Sequence, residues 1–251
     1  MTIAIVTGAT SGLGRAFLQV WQEACAPFDE VWLVARHRAA LEETARHLPW
    51  PSRLFALDLS REEARASLFA ALAETQPRVS ALVNSAGYGK VGPVVTAAPD
   101  DQTGMVALNC TALVDITQRV LPHMAPGGVI YEIASVAAFL PQPNFAVYAA
   151  TKAFVLSYAR ALNAELHDRG VRVIAVCPNP MDTGFFDRAG TRPSLIKRLG
   201  FEAPHAVAKS AMRDAARGRD VSTNSPLAAA IRCVAKVLPH RWILWLERHV
   251  L

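Results

Sequence analysis

Three side chains in the second half of the chain have types and spacing suited to proton transfer. Tyr148 precedes Lys152 by four residues, and Ser135 lies thirteen residues before the tyrosine. Residues four apart share one face of a helix, so the charge of Lys152 would favour the phenolate and lower the pKa of Tyr148 from its reference value of about 10. Ser135 would hydrogen-bond the same substrate oxygen as the phenol. The pattern indicates general acid–base chemistry at a carbonyl or an alcohol, although this spacing also occurs on ordinary helix surfaces.

A glycine-rich segment near the N-terminus gives this pattern a context. Residues 3–6 form an apolar, β-branched run that predicts a buried strand, and Gly8, Gly12 and Gly14 follow before a helical pattern begins. Glycines let the backbone of such a turn approach a pyrophosphate, which binds at the positive N-terminus of the helix. The order strand, glycine turn, helix therefore predicts a dinucleotide site, with a ligand-free glycine turn as the alternative.

Five motifs in this order resemble those of the short-chain dehydrogenase/reductase family in its compact form, over roughly residues 2–190. Besides the glycine turn and the Ser135, Tyr148 and Lys152 pattern, they include Asp58, Asn84–Gly87 and Asn109. The resemblance implies a catalytic tetrad and a set of cofactor contacts. The tetrad is Asn109, Ser135, Tyr148 and Lys152, and the contacts are Gly8, Thr10, Ser11, Gly12, Leu13, Gly14, Asp58, Leu59, Asn84, Ala86, Gly87, Tyr148, Lys152, Pro178, Met181 and Thr183.

The resemblance also implies a role for each member of the tetrad. Tyr148 would exchange a proton with the substrate oxygen, and Ser135 would orient that oxygen. Lys152 would bias the phenol toward phenolate and hydrogen-bond the nicotinamide ribose. Asn109 would hold a water molecule that feeds protons toward Lys152.

The stretch after the last predicted strand is expected to border cofactor and substrate. Pro178–Thr183 corresponds to a cofactor-side turn of the family in which Asn179 replaces the usual glycine. Asparagine tolerates a left-handed backbone, so the turn should survive. Residues 184–204 correspond to a mobile substrate lid, whose apolar side chains either line a pocket or pack as a short helix. The residues after Ser135 are also apolar, which favours a hydrophobic ketone over a sugar; they are Ala137, Phe139, Leu140 and Phe145.

The order of predicted elements indicates an α/β fold, a single-domain, Rossmann-like, doubly wound parallel sheet with helices on both faces, spanning residues 1–251. Gly8, Asp58, Asn84 and Ser135 lie at or just past predicted strand ends. Because parallel strands end at one edge, where such sheets bind ligands, we expect one common site. The predicted strands are residues 2–7, 30–35, 53–57, 80–84, 128–134 and 171–177, and the predicted helices lie around 11–25, 38–47, 60–75, 100–124 and 146–169.

The end of the second predicted strand bears on the choice of cofactor. An NAD-specific site usually has an acidic residue there for the ribose hydroxyls. This chain has Ala35 followed by Arg36, with Arg38 beyond it. A guanidinium is a planar, bidentate partner for a 2′-phosphate, and the alternative is that Arg36 only solvates the next helix. We therefore expect NADP(H) rather than NAD(H), with Arg36 as a cofactor contact.

Composition argues against several other classes of protein. The net charge of +5 comes without a run of like charges or an aromatic-interleaved basic patch, so we expect no nucleic-acid partner. The four cysteines are scattered and have no metal-ligand spacing, so no metal site is predicted. The N-terminus passes directly into the first strand without a secretory signal, which makes a cytoplasmic protein the default.

The C-terminal part departs from one branch of the family. Ketoacyl-carrier-protein reductases commonly end in a strand and a Val-Asp-Gly-Gly-like segment, whereas this chain has Arg219–Thr223. An apolar and basic tail at about 226–251 follows, and it has no uninterrupted run of the roughly 20 apolar residues that span a bilayer. The tail either packs on the body or on a subunit, or lies on anionic lipid as a weak peripheral membrane contact.

The leading hypothesis is an NADP(H)-dependent oxidoreductase acting on the carbonyl or alcohol of a hydrophobic small molecule. A lipid- or ketoacyl-directed reductase at a membrane surface is the second hypothesis, and a non-catalytic dinucleotide sensor is the third. The resemblance further implies a homodimer or homotetramer joined through the helices at about 100–124 and 146–169.

Overall fold

Seven parallel strands form the centre of the computed structural model, which describes residues 1–181, 183, 189, 200–242 and 244–245. Their order across the sheet is β3-β2-β1-β4-β5-β6-β7. This order reverses between β1 and β4, and doubly wound sheets bind their ligands at such a reversal. The predicted fold class is confirmed. In chain order the strands are β1 (Thr2–Thr7), β2 (Glu30–Ala35), β3 (Ser52–Ala56), β4 (Arg78–Asn84), β5 (Met124–Ile133), β6 (Arg172–Val176) and β7 (Val221–Ser222).

Helices lie between the strands and after the last one. A π-helical turn, Ala107–Ala112, joins α4 directly to α5, so the helix predicted around 100–124 is one run with a local change of backbone pattern. Short 3-10 turns span Leu121–His123, Val136–Phe139 and His167–Arg169. The helices are α1 (Gly12–Glu23), α2 (Arg38–Arg46), α3 (Glu62–Thr75), α4 (Pro99–Val106), α5 (Leu113–Val120), α6 (Ala146–Glu165), α7 (Pro204–Ala216) and α8 (Pro226–Val237).

The apolar runs predict six of the strands well, and two differences have physical reasons. β5 begins at Met124 rather than at residue 128, because its pairing with β4 is irregular and residues 126–128 are Pro-Gly-Gly, which reads as a turn. No strand is expected in Arg219–Thr223, and that expectation is wrong: Val221 and Ser222 form β7 beside β6. Two paired residues are too few to leave an apolar pattern.

Each face of the sheet has its own apolar core. On one face Leu68 of α3, Ile116 of α5 and Val155 of α6 pack against the strands, each at most 1% exposed. On the other face Phe17 of α1 and Val207 of α7 are buried to the same degree. Burial on both faces explains why the strands are near-continuous apolar runs. It also leaves the strand ends as the part of the sheet that can receive a ligand.

Two predicted segments are covered only in part. Of the expected lid at 184–204, residues 184–188 and 190–199 lie outside the described residues, while Pro204 begins α7. Of the expected tail at 226–251, the described residues are 226–242 and 244–245, and α8 accounts for the first part. Among the helices formed by the described residues, none combines the length and the apolar content that a bilayer span requires.

Candidate active site

The turn from β1 to α1 brings backbone segments into close contact. Gly8 has a φ of +65° and Gly12 a φ of +53°, values that residues with side chains rarely adopt. A Cβ at Gly14 would lie only 2.4 Å from the carbonyl oxygen of Gly8, so no larger residue fits where α1 crosses the turn. The three glycines thus keep bare backbone at the N-terminus of a helix, where an anionic group is favoured.

The end of β1 is tied to the end of β4 by one hydroxyl. Thr7 Oγ1 accepts hydrogen bonds from the backbone N–H groups of Ser85 at 3.0 Å and Ala86 at 3.1 Å. The same hydroxyl donates to the carbonyl of Val83 at 3.3 Å. These bonds fix Ala86 beside the glycine turn, at the point where the strand order reverses.

The other residues predicted to bind cofactor at this turn differ in exposure. Leu13 is buried in the core, Thr10 is half-buried and Ser11 is exposed. Thr183 approaches from the far side, because its Cγ2 lies 3.7 Å from where a Cβ on Gly12 would be. The fold therefore brings Thr183 to the glycine turn, and its contact with the cofactor stays a prediction.

The segment after β6 is held by its neighbours. The carbonyl of Pro178 accepts a hydrogen bond from the N–H of Val136 at 3.0 Å, which ties it to the residue after Ser135. Met181 forms an isolated β-bridge with Glu202, just before α7. Pro178 and Met181 consequently lie along the same strand-end edge as the rest of the site.

Asn179 is a buried connector in this segment. Its backbone N–H donates to Glu202 Oε2 at 3.1 Å, and its side-chain amide donates to Ser225 Oγ at 2.7 Å. The turn needs no left-handed backbone at Asn179, because the described non-glycine residues with positive φ are Cys25, Gln76 and Asn144. Asn179 stabilises the turn through hydrogen bonds rather than through conformational tolerance.

Arg36 and Asp58 mark the ends of the neighbouring strands β2 and β3, and both are exposed. The Ser60 hydroxyl donates to Asp58 Oδ1 at 2.6 Å. This hydrogen bond is the largest cause that lowers the pKa of Asp58, and the charge of Arg36 acts in the same direction. Leu59 is buried and anchors the turn. The far end of the cleft thus offers a guanidinium and a carboxylate within electrostatic reach of each other.

Ser135 and Tyr148 meet where β5 ends and α6 begins. Ser135 Oγ accepts a hydrogen bond from the N–H of Ala137 at 3.1 Å. Tyr148 is buried, and its ring stacks on Phe145 with centroids 4.2 Å apart. Burial raises the pKa of Tyr148 to about 12, and a hydrogen bond with the Ser135 side chain opposes that rise. The fold therefore brings these two side chains together, and their joint action on a substrate oxygen stays a prediction.

Lys152 lies one turn further along α6 and is also buried. Its Nζ donates to the carbonyl of Ile133 at 2.7 Å and lies 5.7 Å from the centroid of the Tyr148 ring. Burial lowers the pKa of Lys152 to about 8. The expected proximity holds, but the expected lowering of the Tyr148 pKa does not, because the dominant cause is burial and it acts in the opposite direction.

Asn109 lies in the π-helical turn Ala107–Ala112, and π-helical turns are frequent at functional sites. Its side chain exchanges hydrogen bonds with the backbone of Tyr88, at 3.1 Å to the N–H and 2.9 Å to the carbonyl, and donates to Thr151 Oγ1 at 3.1 Å. A Cβ at Gly87 would fall 2.9 Å from Asn109 Oδ1 and 3.6 Å from Lys152 Nζ. Asn109 thus fixes the loop after β4 against α6, and its contact with a relay water stays a prediction.

Glu132 is a residue of the site that the motifs do not predict. A charged residue inside an apolar strand is nevertheless a sequence signal of a buried polar cluster. Glu132 pairs across the sheet with Asn84 and is fully buried. Its Oε1 accepts hydrogen bonds from Asn84 Nδ2 at 3.1 Å and Thr117 Oγ1 at 2.9 Å. Burial raises the pKa of Glu132 to about 7. The Asn84 side chain therefore anchors this cluster, and its part in cofactor binding stays a prediction.

Gly89 is a second residue that sequence reasoning missed. A Cβ there would lie 2.8 Å from Phe145 Cζ and 2.8 Å from Tyr148 Cδ2. The backbone of the loop after β4 therefore presses on the two stacked rings. No local pattern reveals this contact, because Gly89 and Tyr148 are far apart in the chain and meet only through the fold.

Together these features fit a nicotinamide dinucleotide, since the glycine turn presents bare backbone at the N-terminus of α1, where a pyrophosphate is favoured, and Arg36 is exposed at the end of β2. A parallel doubly wound sheet with this glycine turn beside a serine, a tyrosine and a lysine defines the class of dinucleotide-binding oxidoreductases. A family model described as short chain dehydrogenase matches residues 2–193, and the chain belongs to this family.

Similar proteins agree with this assignment. Serine 3-dehydrogenase of Agrobacterium fabrum is 33% identical over 186 residues, which are 72% of this chain and 72% of that protein. A short-chain dehydrogenase from Sphingobium yanoikuyae in complex with NADPH has a TM-score of 0.81 at 27% identity, covering 100% of this chain and 98% of that one. A short-chain dehydrogenase/reductase from Burkholderia phymatum in complex with NAD has a TM-score of 0.78 at 24% identity, covering 97% and 94%. The protein is therefore an oxidoreductase of this family. Of the two structural neighbours, one is in complex with NADPH and the other with NAD.

Proposed function

We propose that the protein transfers hydride between NADP(H) and the carbonyl or alcohol carbon of a hydrophobic small molecule, with Tyr148 as general acid and base. The convergence of the Tyr148 phenol, the Ser135 hydroxyl and the Lys152 ammonium at one strand end supports this function most strongly. The cofactor supplies or accepts the hydride, and the chain provides the proton and the orientation.

Each of the three side chains has a role that follows from its surroundings. Tyr148, whose pKa is raised by burial to about 12, carries its proton at neutral pH and can donate it to a carbonyl oxygen in reduction. Ser135 orients that oxygen by a hydrogen bond. Lys152 keeps its charge at pH 7, since its pKa is about 8, and stabilises the phenolate that remains after transfer. In alcohol oxidation the same groups act in reverse.

NADP(H) is the proposed cofactor because of the charges at the end of β2. Among the described residues Arg36 forms no salt bridge, whereas Arg38 is engaged with Glu42 at 2.8 Å. Arg36 is therefore the guanidinium available for a 2′-phosphate. With NADPH the direction favoured in the cell is reduction.

The apolar surroundings of Tyr148 support a hydrophobic substrate. Ala137 and Phe145 pack with Tyr148 in one apolar cluster, which also includes the fully buried Met105. Phe139 instead packs against the main core, so it does not serve as evidence for a pocket. The similar serine 3-dehydrogenase is named for a polar substrate, so a substrate panel must include polar hydroxy acids as well as hydrophobic ketones.

Two other readings have different support. A lipid- or ketoacyl-directed reductase shares the chemistry and is favoured by the exposed apolar tail after β7. A non-catalytic sensor is disfavoured, because Ser135, Tyr148 and Lys152 are all present and close together.

We also propose that the protein is a homo-oligomer joined through the helices α4 to α6, and that it is located in the cytoplasm.

The primary test is a panel of carbonyl compounds and alcohols followed by NADPH absorbance. Tyr148→Phe is expected to lower kcat by about 10²- to 10⁴-fold, the usual contribution of a positioned proton donor, and to leave NADPH affinity nearly unchanged. Tyr158→Phe is the matched control, since Tyr158 lies on the same helix and its phenol is hydrogen-bonded to Thr117 rather than to Ser135. Near-normal turnover of the Tyr148 variant would refute the assignment.

The panel also separates the remaining alternatives. Equal or faster turnover with NADH would overturn the cofactor proposal while leaving the chemistry intact. NADPH binding without turnover of any compound would instead support the sensor.

A further inference from the structure

The outer side of α8 and the turn after it is apolar. Leu227, Val234 and Val237 recur at helical spacing on α8 and form a stripe, and Leu238, Trp242 and Trp245 follow after the helix ends. Contiguous exposed apolar surface of this kind usually marks an interaction site. We call it the tail surface, and the exposed fractions of its members are 52% for Leu227, 46% for Val234, 81% for Val237, 47% for Leu238, 60% for Trp242 and 58% for Trp245.

The charged residues of segment 226–245 all have one sign, and Glu247 follows two residues after it. Residues 226–245 include Arg232, Lys236 and Arg241 and contain no aspartate or glutamate. Lys236 and Arg241 are exposed beside the apolar stripe. A second copy of the chain docked face to face would bring like charges together, whereas an anionic surface would attract them. Each basic residue near an anionic lipid surface strengthens the attraction to it.

The inner side of α8 is fixed to the body, which directs the apolar stripe outward. Ala228 is fully buried, and Ser225 caps the helix by accepting from the N–H of Ala228 at 3.2 Å. Asn179 holds the same Ser225 hydroxyl from the segment after β6. α8 also packs against the Val136–Phe139 turn that follows Ser135. The tail surface therefore projects from a rigid base that adjoins the catalytic side chains.

We propose that the tail surface is a peripheral docking site for an anionic lipid membrane. Val237, Leu238 and Trp242 enter the boundary between headgroups and acyl chains, and Lys236 and Arg241 contact lipid phosphates. An aromatic ring with a polar edge suits that boundary, as the indole of Trp242 does. Docking is independent of the proposed hydride transfer, but it sets the catalytic cleft beside a source of apolar substrates.

Co-sedimentation of the full chain with vesicles tests the proposal. We expect binding to phosphatidylcholine vesicles that contain phosphatidylglycerol, weaker binding as salt rises, and little binding to phosphatidylcholine alone. Val237→Glu should weaken binding at least about tenfold, because it puts a carboxylate into the apolar stripe. Ala66→Glu, on the exposed face of α3, is the matched control and should bind normally.

Tryptophan emission gives a second readout. Trp21 and Trp32 are buried, and Trp50 is half-buried with its indole N–H donated to the carbonyl of Ala26. A blue shift on adding anionic vesicles is therefore expected mainly from Trp242 and Trp245, and Trp242→Phe should reduce it. Turnover of a water-soluble ketone should be the same for Val237→Glu and wild type, which separates this test from that of the hydride chemistry.

Three results would each overturn the proposal. One is the absence of binding to anionic vesicles, and another is binding that does not depend on lipid charge. The third is a shift from dimer to monomer in Val237→Glu without any vesicle binding by the wild type, which would assign the tail surface to a second copy of the chain.

Discussion

At the scale of single residues, the buried cluster of Glu132, Asn84 and Thr117 is the most unusual feature of the molecule. Two of its atoms, Glu132 Oε2 and Asn84 Oδ1, are buried acceptors without a hydrogen-bond partner among the described residues. A buried unpaired acceptor destabilises the fold, and an ionised one does so more strongly. A proton on Glu132 turns one acceptor into a donor and removes the buried charge, which agrees with the raised pKa of about 7.

This cluster predicts how stability depends on pH. The folded-state pKa of Glu132 is about 7 and the reference value is 4.5, so the folded state binds the extra proton between these values. The extra proton on Glu132 adds to the free energy of unfolding in full below about pH 4.5, and this stabilisation is lost as the pH rises through 7. Glu132→Gln keeps a neutral donor at every pH. We expect its free energy of unfolding, relative to wild type, to increase by about 1–3 kcal/mol from pH 5 to pH 8.

Chemical denaturation at several pH values measures that difference. Glu165→Gln, at an exposed position on α6, serves as the control and should show no such trend. A constant difference between Glu132→Gln and wild type would mean that Glu132 is ionised throughout this range.

At the scale of elements, the loop after β4 sets the position of the catalytic tyrosine. Its backbone at Gly89 contacts the stacked rings of Phe145 and Tyr148, and Asn109 fastens the adjacent Tyr88. The N-terminal turn of α6 is thus held from outside the helix as well as by its own hydrogen bonds. Small displacements of a reacting group can cost two orders of magnitude in rate.

Gly89→Ala tests this contact. The new Cβ would meet both rings at 2.8 Å, so the Tyr148 side chain must shift. We expect kcat to fall by about 10- to 100-fold while NADPH affinity and Tm change little, because the clash is with side chains and not with the sheet. Adding Phe145→Leu should relieve the crowding and restore part of the rate.

Unchanged turnover in Gly89→Ala would show that the loop yields instead of the tyrosine. A large fall in Tm would point to a folding defect rather than to a displaced phenol.

At the scale of the whole molecule, α4 and α6 present apolar side chains on the outside. Val106 at the end of α4 is 44% exposed and Phe154 on α6 is 45% exposed, and these two helices pack together. Phe154 stacks on Tyr158 with centroids 6.1 Å apart, which extends the apolar surface. This face supports the proposed association between copies of the chain, separately from the tail surface.

Phe154→Glu should disrupt that association, because it introduces a charge into an apolar contact. We expect self-association to weaken by at least about tenfold, measured by light scattering during size-exclusion chromatography. Ala66→Glu again provides the charge control. If wild type and Phe154→Glu form oligomers of the same size, the face made by α4 and α6 is not the interface between copies.

The sequence predicts the fold and much of the site because those signals are local. Apolar runs mark β1 to β6, and the spacing of Tyr148 and Lys152 correctly places them on one helix. Contacts between distant segments are not predictable in this way. Asn179 bonds to Glu202 and Ser225, and Glu132 bonds to Asn84, a residue of another strand. These partners are distant in sequence, so only the fold brings them together. The same limit explains the Tyr148 pKa, since burial cannot be read from spacing.

The hydrogen bonds of Asn179 connect the segment beside the glycine turn to the base of α8. Binding free energies at two such sites obey a strict reciprocity, because the final state is the same whichever ligand binds first. The factor by which vesicles change NADPH affinity must therefore equal the factor by which NADPH changes vesicle affinity. Asn179→Ala removes the connecting side chain and leaves the tail surface and the glycine turn unchanged. Comparing this factor between the variant and the wild type therefore measures how much of the coupling passes through Asn179.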